Sequence, residues 1–266
     1  MSQPEIILIT GGNTGLGFEI VKALYKSEKA YSIILAGRSL PKVREAIESV
    51  QGENPSSRSK LSPLQVNIEH NNSIIKAFEQ AQAEYGRVDI LLNNAGAQLD
   101  PLAAAGKLGQ REMWNASWNI NTTGTQIMTS TFMPLLLASS RPRLLFITSG
   151  TSTLAGTENM ALPVNRYPPA GWPKSGFAVP AYRSAKTGMN MMMREWHRML
   201  HEDGVKVWAV SPGFLATGLG AGKEANAKLG AGDPAVAGAF VRTVIEGERD
   251  ADVGKVVMAN GVVPAW

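Results

Sequence analysis

The chain has 266 residues, 44 % of them apolar and 18 % charged, and contains no cysteine. That composition builds a full core and excludes a disordered chain, disulfides, thiolate zinc sites and thiol nucleophiles. Lys and Arg outnumber Asp and Glu by only 26 to 22, in no basic run, which argues against a nucleic-acid partner.

The apolar run Ile6–Ile9 is too short for a signal peptide, and no segment approaches a membrane span. A soluble cytoplasmic protein is expected. Short apolar runs predict strands at Glu5–Thr10, Ser32–Gly37, Pro63–Asn67, Val88–Asn93, Leu144–Thr148, Val205–Ser211 and Lys255–Ala259. Helical patterns fall between them: Gly15–Ser27, Pro41–Val50, Asn72–Tyr85, Arg111–Ala138 with a break near Pro134, Tyr182–Leu200 and Pro234–Glu246. Apolar strands alternating with helices predict α/β architecture: one doubly wound domain over 1–266, its parallel sheet of about seven strands flanked by helices. Gln51–Lys60 reads as a polar loop, Leu154–Pro180, with five prolines, as an irregular excursion, and Phe214–Gly232 as a mobile flap.

The first strand runs into Thr10-Gly11-Gly12-Asn13-Thr14-Gly15-Leu16-Gly17 and then a helix. Glycines there let a pyrophosphate approach the backbone at a helix N-terminus. The spacing is G-x-x-x-G-x-G, so the common G-x-G-x-x-G fingerprint is only partly met. Twenty residues after Gly17, where an NAD site usually carries an acid, stand Gly37, Arg38 and Ser39. A guanidinium there suits a 2′-phosphate and points to NADPH/NADP+. Asn93-Asn94-Ala95-Gly96 predicts a turn at the carboxyl end of strand four, where ligands of such sheets lie.

Tyr182 and Lys186 are four apart on one helix face. A free phenol has a pKa near 10, and a neighbouring ammonium lowers it. Ser149 ends strand five and Asn121 sits in the long helical region. With the glycine turn these form a hydride-transfer constellation. His197 and His201 share a helix face without a third ligand and read as solvated, so no metal is expected. The methionines from Met189 to Met199 read as core, and the two Asn-x-Ser/Thr triplets as silent.

The ordered motifs Thr10–Gly17, Asn93–Gly96, Asn121, Ser149, Tyr182-x-x-x-Lys186 and Pro212-Gly213 with Thr217 resemble the classical short-chain dehydrogenases/reductases over essentially the whole chain. Pro168–Trp172 and the segments around Tyr182 and Pro212 look like a carbonyl-reductase-like branch of filamentous fungi, related to malbrancheamide-type reductases. The resemblance implies an NADPH-dependent reductase of ketones or aldehydes. Tyr182 would be the general acid, Ser149 would hold the carbonyl oxygen, Lys186 would bind the ribose, and Asn121 would anchor a water in a proton relay. Cofactor contacts would come from Gly11, Asn13, Thr14, Gly15, Leu16, Gly17, Arg38, Ser39, Asn67, Ile68, Asn94, Ala95, Gly96, Tyr182, Lys186, Pro212, Gly213, Phe214 and Thr217.

Two departures stand out. Asn67 replaces the family's usual acid near the adenine, and 33 positions separate Ser149 from Tyr182, which marks an insertion at about 154–177. That insertion and the 214–232 flap are expected to wall the site. Tyr167 and Trp172 would then offer flat surface to a bulky or aromatic carbonyl substrate; the bland alternative is that they pack the loop down. An imine or iminium reductase of secondary metabolism, with or without a pericyclic step, and a non-catalytic NADP-binding regulator are the competing readings. The helices Gly124–Ala138 and Tyr182–Leu200 are apolar on more than one stripe, through Met128, Phe132, Leu136, Met189, Met193 and Trp196, which predicts a homodimer or homotetramer.

Overall fold

A computed structural model describes residues 3–174 and 176–266. Seven parallel strands form one sheet in the order β3-β2-β1-β4-β5-β6-β7. They are β1 (Glu5–Thr10), β2 (Tyr31–Gly37), β3 (Lys60–Gln65), β4 (Ile90–Asn93), β5 (Arg143–Ile147), β6 (Lys206–Ser211) and β7 (Val256–Met258). The winding direction reverses between β1 and β4, so a crevice opens where their connections diverge.

Alternation along the strands explains the two cores. Ile6, Leu8, Leu91, Leu144 and Phe146 face one side, where they pack on α3 (Asn71–Tyr85), α6 (Gly124–Leu137) and α7 (Pro180–Met199). Ile7, Ile9, Ile90, Leu92 and Leu145 face the other, against α1 (Gly15–Tyr25), α2 (Leu40–Glu53) and α9 (Pro234–Glu246). No described helix is long and apolar enough to cross a membrane.

Several expectations are corrected. The long helical region is interrupted at Asn119–Thr123 by a π-helical turn, not at Pro134, and it begins as α5 (Gln110–Trp118). Pro134 stays inside the last turn of α6, where its ring is exposed and only one backbone donor is lost. A one-turn helix, α4 (Asp100–Ala104), precedes α5. Gln51–Glu53 extend α2, so the polar loop is shorter than expected. Strand β3 ends at Gln65, before Asn67. The 214–232 flap contains α8 (Lys223–Lys228), and its ends are joined by a bridge between Leu215 and Gly232. Buried Asn226 ties it further, donating to the carbonyls of Thr217 and Leu219.

The six side chains behind the assembly expectation are all buried within one chain. The second apolar stripe of α6 meets α3, with Phe78 and Phe132 edge to face at 5.7 Å.

The glycine turn is set by crowding. A Cβ on Gly17 would stand 2.3 Å from the Gly11 carbonyl oxygen and 2.5 Å from Asn94 Nδ2, whereas one on Gly52, in the last turn of α2, meets nothing. Gly17→Ala is therefore expected to cost about 1–3 kcal/mol, lowering Tm by several degrees in a thermal melt. Gly52→Ala should leave Tm equal or higher.

Candidate active site

The residues named by the sequence gather along the carboxyl edge of the sheet, on both sides of the β1/β4 crevice. Thr10 and Asn94 stitch its two walls together. Thr10 Oγ1 accepts from the N–H groups of Asn94 and Ala95, both at 3.0 Å. Asn94 Nδ2 donates to the carbonyls of Thr10 at 2.8 Å and Gly11 at 3.1 Å. The turn Gly11–Gly17 thus lies against Asn94–Gly96, and its helix, α1, starts at Gly15 after Thr14. Leu16 packs on the core side of that helix.

The far end of the turn reaches β2. Asn13 lies across Gly37, where a Cβ would meet its Oδ1 at 2.7 Å. Arg38 is open to solvent, and Ser39 precedes α2. Here the structure adds a residue that the sequence pattern did not reveal: the carboxylate of Glu69 lies 3.5 Å from Arg38. Asn67 accepts from the Glu69 N–H through its side-chain oxygen, and Ile68 is buried in the core, leaving chiefly its backbone for a ligand.

Asn121, Gly96 and Lys186 form a second cluster. Asn121 is fully buried on the π-helical turn. Its Nδ2 donates to the carbonyls of Ala97 at 2.8 Å and Ser117 at 2.9 Å, and its Oδ1 accepts from the Ala97 N–H. A side chain on Gly96 would meet Asn121 Oδ1 at 2.7 Å and Lys186 Nζ at 3.3 Å, so only glycine leaves the lysine room. Lys186 Nζ donates to the Ile147 carbonyl at 2.8 Å and lies 5.9 Å from the centre of the Tyr182 ring. Burial lowers its ammonium to about 7.

Ser149 follows β5, and Tyr182 sits in the first turn of α7. The Thr151 N–H donates to Ser149 Oγ at 3.2 Å, which orients the hydroxyl, and Thr151 Oγ1 lies 2.9 Å from it. Behind this loop, buried Thr148 donates to Asn190 Oδ1 at 2.6 Å, and Asn190 Nδ2 donates to Ser152. Burial pushes the Tyr182 phenol up to about 12; the Ser149 hydroxyl opposes that rise and the Asp100 carboxylate adds to it. Of the later motif, buried Thr217 packs against Gly15, which brings the flap onto the glycine turn, while Phe214 is exposed. Pro212 and Gly213 link β6 to that flap.

The insertion divides in two. Its first part is held: the Ala155 N–H donates to the Trp266 carbonyl, and Asn165 Nδ2 donates to those of Gly156 and Asn159. Arg183, next to Tyr182, donates to the carbonyls of Thr151 and Val164 and to Asn165 Oδ1. Beyond that, every described residue from 166 to 178 is exposed, and Ser175 lies outside the described residues. Tyr167 and Trp172 are 84 % and 87 % exposed, so they do not pack the loop down, nor are they buried in a formed wall.

These elements fit a dinucleotide. The glycine turn keeps side chains away from the helix N-terminus, as a bound diphosphate requires, and polar groups converge on one edge. Among the described residues no three His, Asp or Glu side chains converge as metal ligands would.

The family model for short chain dehydrogenases matches residues 5–161 and 170–228, and its interruption falls inside the insertion. The chain is 44 % identical over 268 residues to the short-chain dehydrogenase/reductase tropE of Talaromyces stipitatus, covering 99 % of this chain and 98 % of that protein. It is 47 % identical over 253 residues to eupG of a Phoma species, covering 92 % and 91 %. Among solved structures it resembles the NADPH-bound carbonyl reductase from chicken fatty liver, with TM-score 0.77, 18 % identity and full coverage of both chains. A 3-oxoacyl-[acyl-carrier protein] reductase from Brucella melitensis in complex with NAD gives TM-score 0.75 at 19 % identity, covering 98 % and 97 %. With its Tyr-x-x-x-Lys helix, its glycine turn and these fungal relatives, the chain belongs to the classical short-chain dehydrogenases/reductases, in their fungal branch.

Proposed function

We propose that the protein is an NADPH-dependent reductase of a bulky or aromatic ketone or aldehyde. The observation that carries this reading is the joint placement of Ser149, Tyr182 and Lys186 at one end of β5 and α7. A reduced nicotinamide dinucleotide supplies the hydride when bound. The glycine turn, Asn13, Arg38 and Thr217 would hold it.

The chain's own groups then act on the substrate oxygen. Ser149 Oγ accepts from the Thr151 N–H, which orients it, and its hydroxyl would donate to the carbonyl oxygen of a bound substrate. Tyr182 donates its proton to that oxygen as negative charge grows there. Lys186, when protonated, makes the resulting phenolate less costly. Asn121 holds the Ala97 backbone beside Lys186, where a water would complete the path for reprotonation. The need for a proton on oxygen favours carbonyl over iminium reduction. The exposed Tyr167, Trp172 and Phe177 are the surface on which a flat, apolar substrate would be gripped. A homodimer or homotetramer would meet through the face carrying the exposed Trp118 and Met191.

Tyr182→Phe should keep NADPH binding and lose about 10²–10⁴-fold in kcat on the best ketone of a panel. Near-wild-type turnover with chemistry rate-limiting would refute the acid role. For the cofactor, Arg38 would pair with the 2′-phosphate in place of Glu69. That contact is worth about 1.5–3 kcal/mol, or roughly ten- to a hundredfold in Kd. Fluorescence titration should show NADPH bound tighter than NADH by about that factor, and the gap should close in Arg38→Ala.

Burial of Lys186 has its own signature in the cofactor-free protein. Its folded value, about 7, lies below the ordinary 10.5. Between the two the unfolded chain binds the proton and the folded chain does not, so this group's contribution to stability improves as pH rises through that window. Below pH 7 the cost of burying the ammonium is present in full. Lys186→Met should therefore raise Tm most at the acid end, with the gain shrinking as pH climbs from 7 towards 10.5.

A further inference from the structure

Helix α7 begins without a cap of its own. Val179 supplies no side-chain bond to the first turn, and Pro180 has no N–H to give. The next two amides, of Ala181 and Tyr182, both donate to one carboxylate. They meet Asp100 Oδ1 at 2.9 Å and Oδ2 at 3.2 Å. Asp100 is 4 % exposed and comes from a different element, the start of α4, four residues beyond Gly96. A buried carboxylate needs donors or a cation. Here it has two main-chain donors and the positive end of a 20-residue helix.

Tyr182 therefore stands where two influences oppose each other. The helix terminus favours a phenolate, as does Lys186 below about pH 7, where it carries its charge. Asp100, facing it from α4, favours the phenol. Among the described residues, Ser149 presents a hydroxyl to it, and the Arg183 guanidinium is directed away to Thr151, Val164 and Asn165. An acid that must deliver its proton to substrate has to stay protonated until then.

We propose that Asp100 is a positioning residue for Tyr182: it fixes the turn that carries the phenol and offsets the field of the helix terminus, so that the hydroxyl, already held protonated by burial, keeps its proton more firmly until transfer. This rests on the reading of Tyr182 as the acid. Burial raises the phenol's affinity for its proton most, and Asp100 adds to that rise, in agreement with the geometry. No covalent step is involved; Asp100 acts through two amides and its charge.

Asp100→Asn tests it, since asparagine keeps the size and one acceptor but loses the charge. In protein labelled with ¹³Cζ-tyrosine, the five tyrosine signals can be followed against pH, with Tyr182 assigned from Tyr182→Phe. In Asp100→Asn the Tyr182 signal should begin to move about one pH unit earlier than in wild type, which is tenfold more phenolate at a given pH. The other four tyrosines should be unmoved. Superimposable Tyr182 curves in a folded variant overturn the proposal. If Asp100→Asn does not fold, Asp100→Ser, also uncharged, is read the same way. A parallel pH profile of phenanthrenequinone reduction should shift its alkaline limb in the same direction. Absence of any reduction by wild type would count against the carbonyl reading alone, because the tyrosine signal is read without substrate.

Discussion

The crevice at the β1/β4 switch point stays open because two short polar side chains hold its walls at a set distance. Thr10 takes the amides of Asn94 and Ala95, and Asn94 returns two bonds to the carbonyls of Thr10 and Gly11. Each satisfies main-chain groups that the strands leave unpaired where they end. The close contact admits no side chain at Gly17, which is why the helix that follows can present bare amides. Everything placed on that edge, from the π-helical turn to the flap, is referenced to this stitch.

A second organising element is α7, which meets a different neighbour on each face. Tyr182 and Lys186 look towards the end of β5. Arg183 grips the insertion, and Asn190 braces the loop that presents Ser149. Gly188 receives the ring of Trp118 from α5, so closely that a Cβ would stand 2.6 Å from it. One rigid helix thereby sets the distances among Tyr182, Lys186 and the serine loop, which suits a site that must be preorganised.

Much of this was legible in the sequence because it depends on local pattern. Buried parallel strands appear as β-branched runs, and both the glycine turn and the Tyr–Lys spacing are short-range signals. The parts that escaped are set by contacts distant in the chain. Nothing near Asp100 in sequence marks it as the cap of a helix that begins 80 residues later, although Asp followed by Pro101 does mark a helix start. Glu69 meets Arg38 only because β2 and β3 are neighbours. The π-helical turn is invisible to a 3.6-residue period, while Pro134 attracts a break that the exposed end of α6 does not need. The apolar stripes of α6 and α7 suit a partner chain by pattern alone, and α3 covers one of them from within.

The Arg183–Asn165 clamp gives the insertion two tolerances to mutation. At its base, a change to Arg183 or Asn165 removes the bonds that tie the insertion to α7 and to the loop after β5, so these positions are bound to the fold. At its tip, from 166 onward, substitutions remove no buried contact and drift freely. The drifting stretch leaves the fold after Ser149 and returns just before Tyr182. Its sequence can therefore be rewritten over many generations while the positions of Ser149, Tyr182 and their supports are inherited unchanged.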